Sequence, residues 1–341
     1  TASLVRGFQQ GDPRVRLLSI PREEGGRGKS AVLNRGLTLA GQPLVAVYDA
    51  DNRPEPGSLK ILCRALVADH RLAAVTGKFR AFNKDRNLLT RLINIESTAF
   101  QWIIQAGRWF FLRVAFLPGT NYVIRRDVLE SVGRWDEAAL AEDSELTFRI
   151  YQAGRLVKFV PTAVSWEQEP ETLRVWVRQR TRWARGNNYL ISKYAGSVLR
   201  GRPQAMTFEI INLVFLYYLF MFAIVFSDGL FVLSLVGAVR IQIPGPFLEL
   251  WALAFLLFLL EVMIALSHEK EDRPAALVQV ILGYAVYTKL WAFVLMKAFS
   301  DDYLARRERT WAKTERFEPA LPGGLTSSLA KRPRPAADWE E

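Results

Sequence analysis

Three short stretches carry residue types suited to chemistry. In "VAVYDADN", Asp49 and Asp51 stand one residue apart at the end of an apolar run with the composition of a strand. Open α/β sheets bind ligands outside the carboxyl ends of their strands, and two carboxylates there can hold a divalent cation and a diphosphate. An ordinary polar turn has the same spacing. In "LAEDSELTFRI", Glu142 and Asp143 open an amphipathic helix. An acidic pair at that position serves the helix cap and dipole. Alternatively, Asp143 is a general base that takes a proton from a hydroxyl, and Glu142 shapes its surroundings. In "VWVRQRTRWARG", Gln179, Arg182 and Trp183 fall at i, i+3 and i+4 and share one helix face. An amide, a guanidinium and an indole together suit a diphosphate and a sugar ring, because arginine binds phosphate oxygens in a bidentate way. The competing reading is a basic amphipathic helix lying on a membrane, with Leu173, Trp176 and Val177 touching lipid.

A fourth stretch, "GGRGKSAVLN" from Gly25 to Asn34, looks like a phosphate loop ending in Gly-Lys-Ser. The phosphate loop of nucleotide-hydrolysing proteins needs a glycine where this chain has Glu23. A carboxylate there repels phosphate and lacks glycine's freedom at positive φ. Lys29 therefore belongs to another phosphate context or to a solvated loop.

The elements that must position these residues follow from pattern. "RVRLLSI", "PLVAVYDA", "LAAVTGKFRAFN" and "LVKFVPTAVSW" read as strands. "KSAVLNRGLTLAG", "DVLESVGRWD" and "SELTFRIYQAG" read as helices, the first and last closed by glycine. Strand, helix, strand over the first part implies a parallel unit in a buried sheet. The fold class expected is α/β, followed by membrane helices. The residues divide into a cytosolic domain over 1–195, about four membrane helices over 206–299 and a cytosolic tail over 300–341.

Four apolar segments support the middle division: Ile210–Phe226, Gly229–Ile243, Phe247–Leu266 and Ala275–Met296, the last containing Lys289. Arg200 and Arg202 precede them, and Arg306, Arg307 and Arg309 follow. Positive flanks are cytoplasmic, so an even number of crossings is expected. One cysteine (Cys63) and two histidines (His70 and His268) exclude a disulfide framework and a Cys/His metal cluster. Any metal must be held by carboxylates, which favours Mg²⁺ or Mn²⁺. A net charge of +11 admits a membrane surface or an anionic substrate, but no nucleic-acid-binding module is visible. No nucleic-acid partner is expected. The chain begins at Thr1 as though inside a helix already under way, and an N-terminally incomplete protein is expected.

Taken in order, "KSAVLN", "DAD", "AED" and "QRTRW" followed by membrane spans resemble the membrane-embedded family 2 glycosyltransferases, which include cellulose, chitin, hyaluronan and poly-N-acetylglucosamine synthases. Ala141 stands where the family's acidic motif has threonine. "GTNYVIRR" and "WAKTER" also look like family segments, the first near the acceptor site. The resemblance implies a GT-A-like, Rossmann-like domain and inverting transfer from a UDP-sugar. Lys29, Asp49, Asp51, Gln179 and Arg182 would bind the donor, with Asp51 holding Mg²⁺ or Mn²⁺. Asp143, assisted by Glu142, would be catalytic. Trp183, Gly119, Thr120 and Asn121 would meet the acceptor. UDP-N-acetylglucosamine is favoured and UDP-glucose is second, with a glycan or lipid-linked acceptor, membrane lipids and accessory export subunits as partners. The expected location is the plasma membrane, a bacterial inner membrane, with the catalytic domain cytosolic.

Overall fold

The structure is a computed structural model that describes residues 2–21, 28–199, 205–239 and 245–308, with Glu315 and Phe317. After α1 (Ala2–Gly11), the chain runs through α2 (Lys29–Leu37), β1 (Leu44–Val47), β2 (Arg53–Pro54), α3 (Ser58–Val67) and β3 (Leu72–Ala81). A long helix follows, formed by α4 (Leu88–Ala99), a π-helical stretch Phe100–Ala106 and α5 (Gly107–Leu112). Next come β4 (Tyr122–Arg125), α6 (Arg126–Ser131), α7 (Glu142–Gln152), β5 (Leu156–Glu167) and α8 (Leu173–Leu199).

The five strands form one sheet in the order β1-β4-β3-β5-β2. Only β3 and β5 pair in parallel; the other three pairings are antiparallel. The sheet is therefore mixed, which corrects the expected parallel unit. The expected strand "RVRLLSI" explains the difference. Residues 15–21 carry no strand hydrogen bonds, although their composition suits a strand. A strand is defined by its ladder partner, and no partner meets this segment among the described residues.

Alternate side chains of the central strands fill two cores. On one face, Ala74, Ile124, Val157 and Phe159 pack with Leu37, Leu129, Leu146 and Ile150. On the other, Val75, Val123, Val160 and Ala163 pack under Leu62 and Leu66 of α3. The parallel pair closes tightly at one point. A Cβ at Gly77 would stand 2.1 Å from the carbonyl oxygen of Ala163 and 2.4 Å from Nδ2 of Asn121.

The second half is helical. α9 (Ala205–Val214), the π-helical stretch Phe215–Phe220 and α10 (Met221–Leu235) form one continuous run. α11 (Phe247–His268) follows. A second continuous run comprises α12 (Pro274–Leu282), a π-helical stretch Gly283–Tyr287, α13 (Thr288–Phe299) and a last π-helical stretch Ser300–Leu304. The expected second segment is thus not a separate helix. Its residues Gly229–Leu235 continue the first helix, and residues 240–244 lie outside those described. Among the described residues, Pro274–Leu304 is the one helix long and apolar enough to cross a membrane by length and composition. Ile210–Leu219 and Ala252–His268 are shorter apolar helices.

Trp176, Ala184, Leu92, Ile93, Val294 and Leu295 join α8, α4 and α13 in one apolar cluster. This helical layer carries Gln179 and Arg182 to the sheet. Gly77→Ala should destabilise the sheet, because backbone rather than a movable side chain opposes the added methyl. The expected loss is about 1–3 kcal/mol, read as a lowered unfolding midpoint of the purified protein. An unchanged midpoint would show that the close approach of β3 and β5 is relaxed in solution.

Candidate active site

Lys29 sits at the first position of α2, following Gly28 at φ 92°. Its Nζ donates to Oδ1 of Asp49 at 2.6 Å and to the carbonyl oxygen of Gly119 at 2.7 Å. Oε1 of Glu142 lies 3.7 Å from the same nitrogen. Burial works against the lysine charge, but Asp49 and Glu142 outweigh it and hold its pKa above the usual value. The four elements that meet here are the N-terminus of α2, the carboxyl end of β1, the loop before β4 and the N-terminus of α7.

That loop is fixed from both sides. The backbone N–H of Asp49 donates to Oγ1 of Thr120 at 3.0 Å, and the Thr120 hydroxyl donates to Oδ1 of Asn52 at 3.1 Å. The N–H of Leu117 donates to Oγ1 of Thr147, whose hydroxyl donates to the carbonyl oxygen of Asp143 at 2.8 Å. Gly119, at φ +81°, allows the closest approach. A Cβ there would lie 3.0 Å from Oδ2 of Asp143 and 3.7 Å from Nζ of Lys29.

Asn121 takes a left-handed conformation at φ 50° and is fully buried. Its Nδ2 donates to the carbonyl oxygens of Lys78 and Ala163 at 3.0 and 3.1 Å. Asparagine tolerates this conformation better than most residues. Its amide thus holds the loop onto β3 and β5. Thr120 likewise connects Asp49 to Asn52. Of the three expected acceptor residues, Gly119 borders the acidic pair.

Glu142 is buried and Asp143 half-buried in the first turn of α7. The N–H of Ser144 donates to Oδ1 of Asp143 at 2.7 Å, but the cap position is Ala141 and carries no side-chain bond, so the pair serves the helix dipole rather than the cap. Removal from water raises both carboxyl pKa values, and the charge of Asp143 adds to the rise at Glu142. Lys29 and Arg182 oppose the rise at each. Arg182 is itself destabilised by burial and sustained by Glu142, Asp143 and Asp49. The arginine on α8 and the lysine on α2 therefore share one acidic cluster contributed by β1 and α7.

Gln179 faces its own helix: its Oε1 accepts from Nη1 of Arg180 at 3.2 Å. Trp183 is 39% exposed, with the guanidinium carbon of Arg180 3.9 Å from its ring centroid. Arg180 is buried and paired with Oε2 of Glu96 at 3.1 Å. Neither Arg180 nor Glu96 stands out in the sequence.

Gly186 is equally inconspicuous. A Cβ there would be 2.6 Å from the Cβ of Ala141, so α8 rests directly on the residue before Glu142. Glu145 is a further unexpected residue. Fully buried, it accepts from Arg149, Lys193 and Tyr194, the last at 2.8 Å, and so fastens α7 to the later part of α8.

Asp51 lies two residues past Asp49 in the turn before β2 and is half-buried. Among the described residues, no three His, Cys, Asp or Glu side chains converge on one point. The donor set thus suits a hard cation that takes only one or two protein carboxylates and completes its shell with phosphate and water oxygens. The "WAKTER" segment lies outside the described residues, apart from Glu315, which pairs with Arg178 at 3.4 Å.

A mixed α/β sheet with its acidic residues and cations gathered at one edge defines a GT-A-like glycosyltransferase domain. The fold is shared with the mannosyltransferase PcManGT from Pyrobaculum calidifontis in complex with GDP-Man and Mn2+: TM-score 0.50, 21% identity, 82% of this chain and 73% of that one. Residues 44–266 match the family described as Glycosyl transferase family group 2, and the chain belongs to that family. It is an enzyme, a hexosyltransferase. It is 40% identical over 321 residues to the probable glycosyltransferase YdaM of Bacillus subtilis (strain 168), covering 93% of this chain and 76% of that protein. It is 26% identical over 200 residues to the poly-beta-1,6-N-acetyl-D-glucosamine synthase of Staphylococcus aureus (strain COL). That match covers 58% of this chain and about half of the relative, 48%.

Two outcomes follow from this geometry. Raised carboxyl pKa values mean that the pair holds its proton to a higher pH than an ordinary carboxylate near 4. A base among them works only after losing that proton, so activity should fall on acidification well above pH 4. Glu142→Gln removes the carboxyl whose pKa is pushed up to about 7 and should move this acid limb to lower pH; an unmoved limb would place its origin elsewhere. Gly186→Ala should push α8 from Ala141 and withdraw Arg182 from the pair. Displacement on the ångström scale costs on the order of 10–100-fold in rate, and a wild-type rate from the folded variant would contradict the contact.

Proposed function

We propose that the chain transfers a sugar, with inversion, from a UDP-sugar to a growing β-linked glycan at a membrane. UDP-N-acetylglucosamine is the favoured donor and UDP-glucose the second. The observation that carries the proposal is the convergence of Lys29, Asp49, Glu142, Asp143 and Arg182, drawn from four separate segments, on one small volume. Favouring the N-acetylglucosamine donor rests on the sequence around Gln179 and on the similarity to a synthase of that polymer.

An inverting transfer needs no covalent nucleophile. The acceptor hydroxyl oxygen bonds to the sugar's anomeric carbon, the bond from that carbon to the diphosphate breaks, and the hydroxyl proton passes to Asp143. Negative charge grows on the departing UDP as the bond lengthens. Lys29 and Arg182 sit where fixed positive charge stabilises it, and fixed charge in a partly dry site acts without reorganisation. Glu142 raises the basicity of the region and holds Lys29 within it. Gln179 lies one turn from Arg182 on the diphosphate side, and Trp183 offers a ring face to the acceptor sugar. Mg²⁺ or Mn²⁺, held by Asp51 with donor oxygens, would supply further charge neutralisation for the diphosphate.

The apolar helices support a bilayer setting for this chemistry, the catalytic domain lying in the cytosol beneath a plasma membrane. The acceptor is a glycan or a lipid-linked sugar, and the product is passed outward beside the helices.

Release of UDP by the full-length protein in detergent, with Mn²⁺ and each UDP-sugar in turn, tests the reading. No release with any UDP-sugar would sink it. Asp143→Asn should keep UDP binding while lowering transfer by about 10²–10⁴-fold, the range for a lost general base. Transfer that survived would remove Asp143 from that role. Lys29→Ala should weaken donor binding, seen as a raised KM for the UDP-sugar; an unchanged KM would return Lys29 to a structural part.

A further inference from the structure

The helix Pro274–Leu304 passes the composition test for a membrane span, yet its contacts place it elsewhere. Its first half packs on α4. Ala276 and Val280 meet Ile95 and Ala99, and a Cβ on Gly283 would lie 3.7 Å from the Leu92 side chain. Its second half runs beside α8. The Tyr287 hydroxyl accepts from Nε1 of Trp176 at 2.8 Å and donates to Glu96 at 2.5 Å. Asp302 accepts from Arg185 and Asn188, both at 2.9 Å, and the Tyr303 and Ser192 hydroxyls are 3.1 Å apart.

These pairings advance together, from 176 with 287 to 192 with 303. The two helices are therefore parallel neighbours over about 24 Å at 1.5 Å per residue. α8 carries Arg174, Arg178, Arg182, Arg185 and Lys193, and it lies on the catalytic domain through Gly186 and Glu145. A helix fastened along such a neighbour shares its depth, and α8 is too charged for hydrocarbon.

Both ends of Pro274–Leu304 are also tied to the same domain. Just before it, Glu269 pairs with Lys78 and Arg80, and Glu271 with Lys84 and Arg80. Just after it, the carbonyls of Arg307 and Glu308 accept from Arg185. A crossing helix would have to deliver its ends to opposite sides of about 30 Å of hydrocarbon.

The outward face remains to be covered. Val278, Leu282, Val286, Phe293, Met296 and Leu304 lie at helical spacing along it, and all are exposed. The neighbouring helices show what covers it. α11 packs on α12 through Val262, Leu266, Ala276 and Val280, and it then leaves the layer with Leu250, Leu253, Leu256 and Leu260 exposed. α10 does the same with Phe222, Val225 and Phe226. Helices apolar on their outward sides beside a half-apolar helix form the arrangement of spans next to an interfacial helix.

We propose that Pro274–Leu304 does not cross the membrane but lies along the cytosolic surface of the bilayer, its exposed apolar stripe on lipid, while Ala205–Leu235 and Phe247–His268 make the only two crossings in the described residues. The proposal uses the membrane association proposed above but not the reaction. Two crossings keep both basic flanks on one side, as the positive charges require.

The test uses the full chain with Cys63→Ser, in vesicles of mixed phosphatidylcholine and phosphatidylglycerol. Single cysteines at Val278, Val286, Phe293 and Leu304 carry a nitroxide, and its relaxation by oxygen and by a water-soluble nickel chelate gives depth. All four should lie at one shallow depth. Arg273→Cys and Arg306→Cys should both react with an impermeant thiol reagent from one side. A depth gradient through Val286 and Phe293, or ends labelled from opposite sides, would overturn the proposal alone. All four nitroxides in water, in a chain still bound to vesicles, would also overturn it. A chain that does not associate with vesicles would end the membrane reading itself.

Discussion

Two carboxylates at the start of α7, partly withdrawn from water, cannot both stay charged unless cations are brought to them. Burial raises the pKa of Glu142 and Asp143 together, and the charge of Asp143 adds to the rise at Glu142. Lys29 comes from α2, and Arg182 from a helix that begins after the last strand. Because each cation is itself desolvated, it is stable only where the carboxylates are. The cluster is therefore mutual, and removal of any member leaves a buried charge without compensation. The remaining architecture serves to bring these segments together, with Lys29 within 4 Å of both Asp49 and Glu142.

Small residues and backbone contacts achieve that approach. Gly119 lets the loop before β4 touch both Lys29 and Asp143. Gly186 lets α8 lie on Ala141, and this contact gives a physical account of the alanine in the acidic motif. A larger side chain at 141 would meet the backbone of α8. Farther along, Glu145 clamps Lys193 and Tyr194, so α8 is fixed at two points about one and three turns beyond Arg182.

Much of this is legible in the sequence because the signals are local. Asp49 at a strand end, the acidic pair at a helix start, and Gln179, Arg182 and Trp183 on one helix face all follow from spacing. The helices over 29–37 and 142–152, and the strands over 44–47, 72–81 and 156–167, also follow from pattern. What escapes is long-range. Glu96 reads as a solvated helix residue until Arg180, 84 positions away, reaches it. Gly186 reads as a weak point in a helix until Ala141 is seen beneath it. Asn121 has a motif's identity but an interior address, because its left-handed backbone turns the amide into the sheet. The apolar segments are broken in hydropathy at Asp228 and Gly229, but neither residue stops a helical hydrogen-bond ladder. Glycine costs only about 1 kcal/mol there, so the run continues to Leu235.

α8 connects the acidic cluster to the helical layer. One side holds Arg182 at the carboxylates, while Trp176, Arg180 and Arg185 hold α13 and Glu96 of α4 on its other side. Arg180 joins the two sides. It is paired with Glu96 within the helical layer, and its guanidinium lies 3.9 Å from the ring of Trp183. Cation–ring contacts of a desolvated arginine are worth about 2 kcal/mol, enough to favour one orientation of an otherwise exposed indole. The orientation of Trp183 therefore depends on how α4 and Pro274–Leu304 sit against α8. A bilayer that presses the apolar stripe of that helix against the domain would tighten the same contacts that hold Trp183. The acidic cluster and the helical layer are thus two sides of one packed helix, and neither can move without displacing the other.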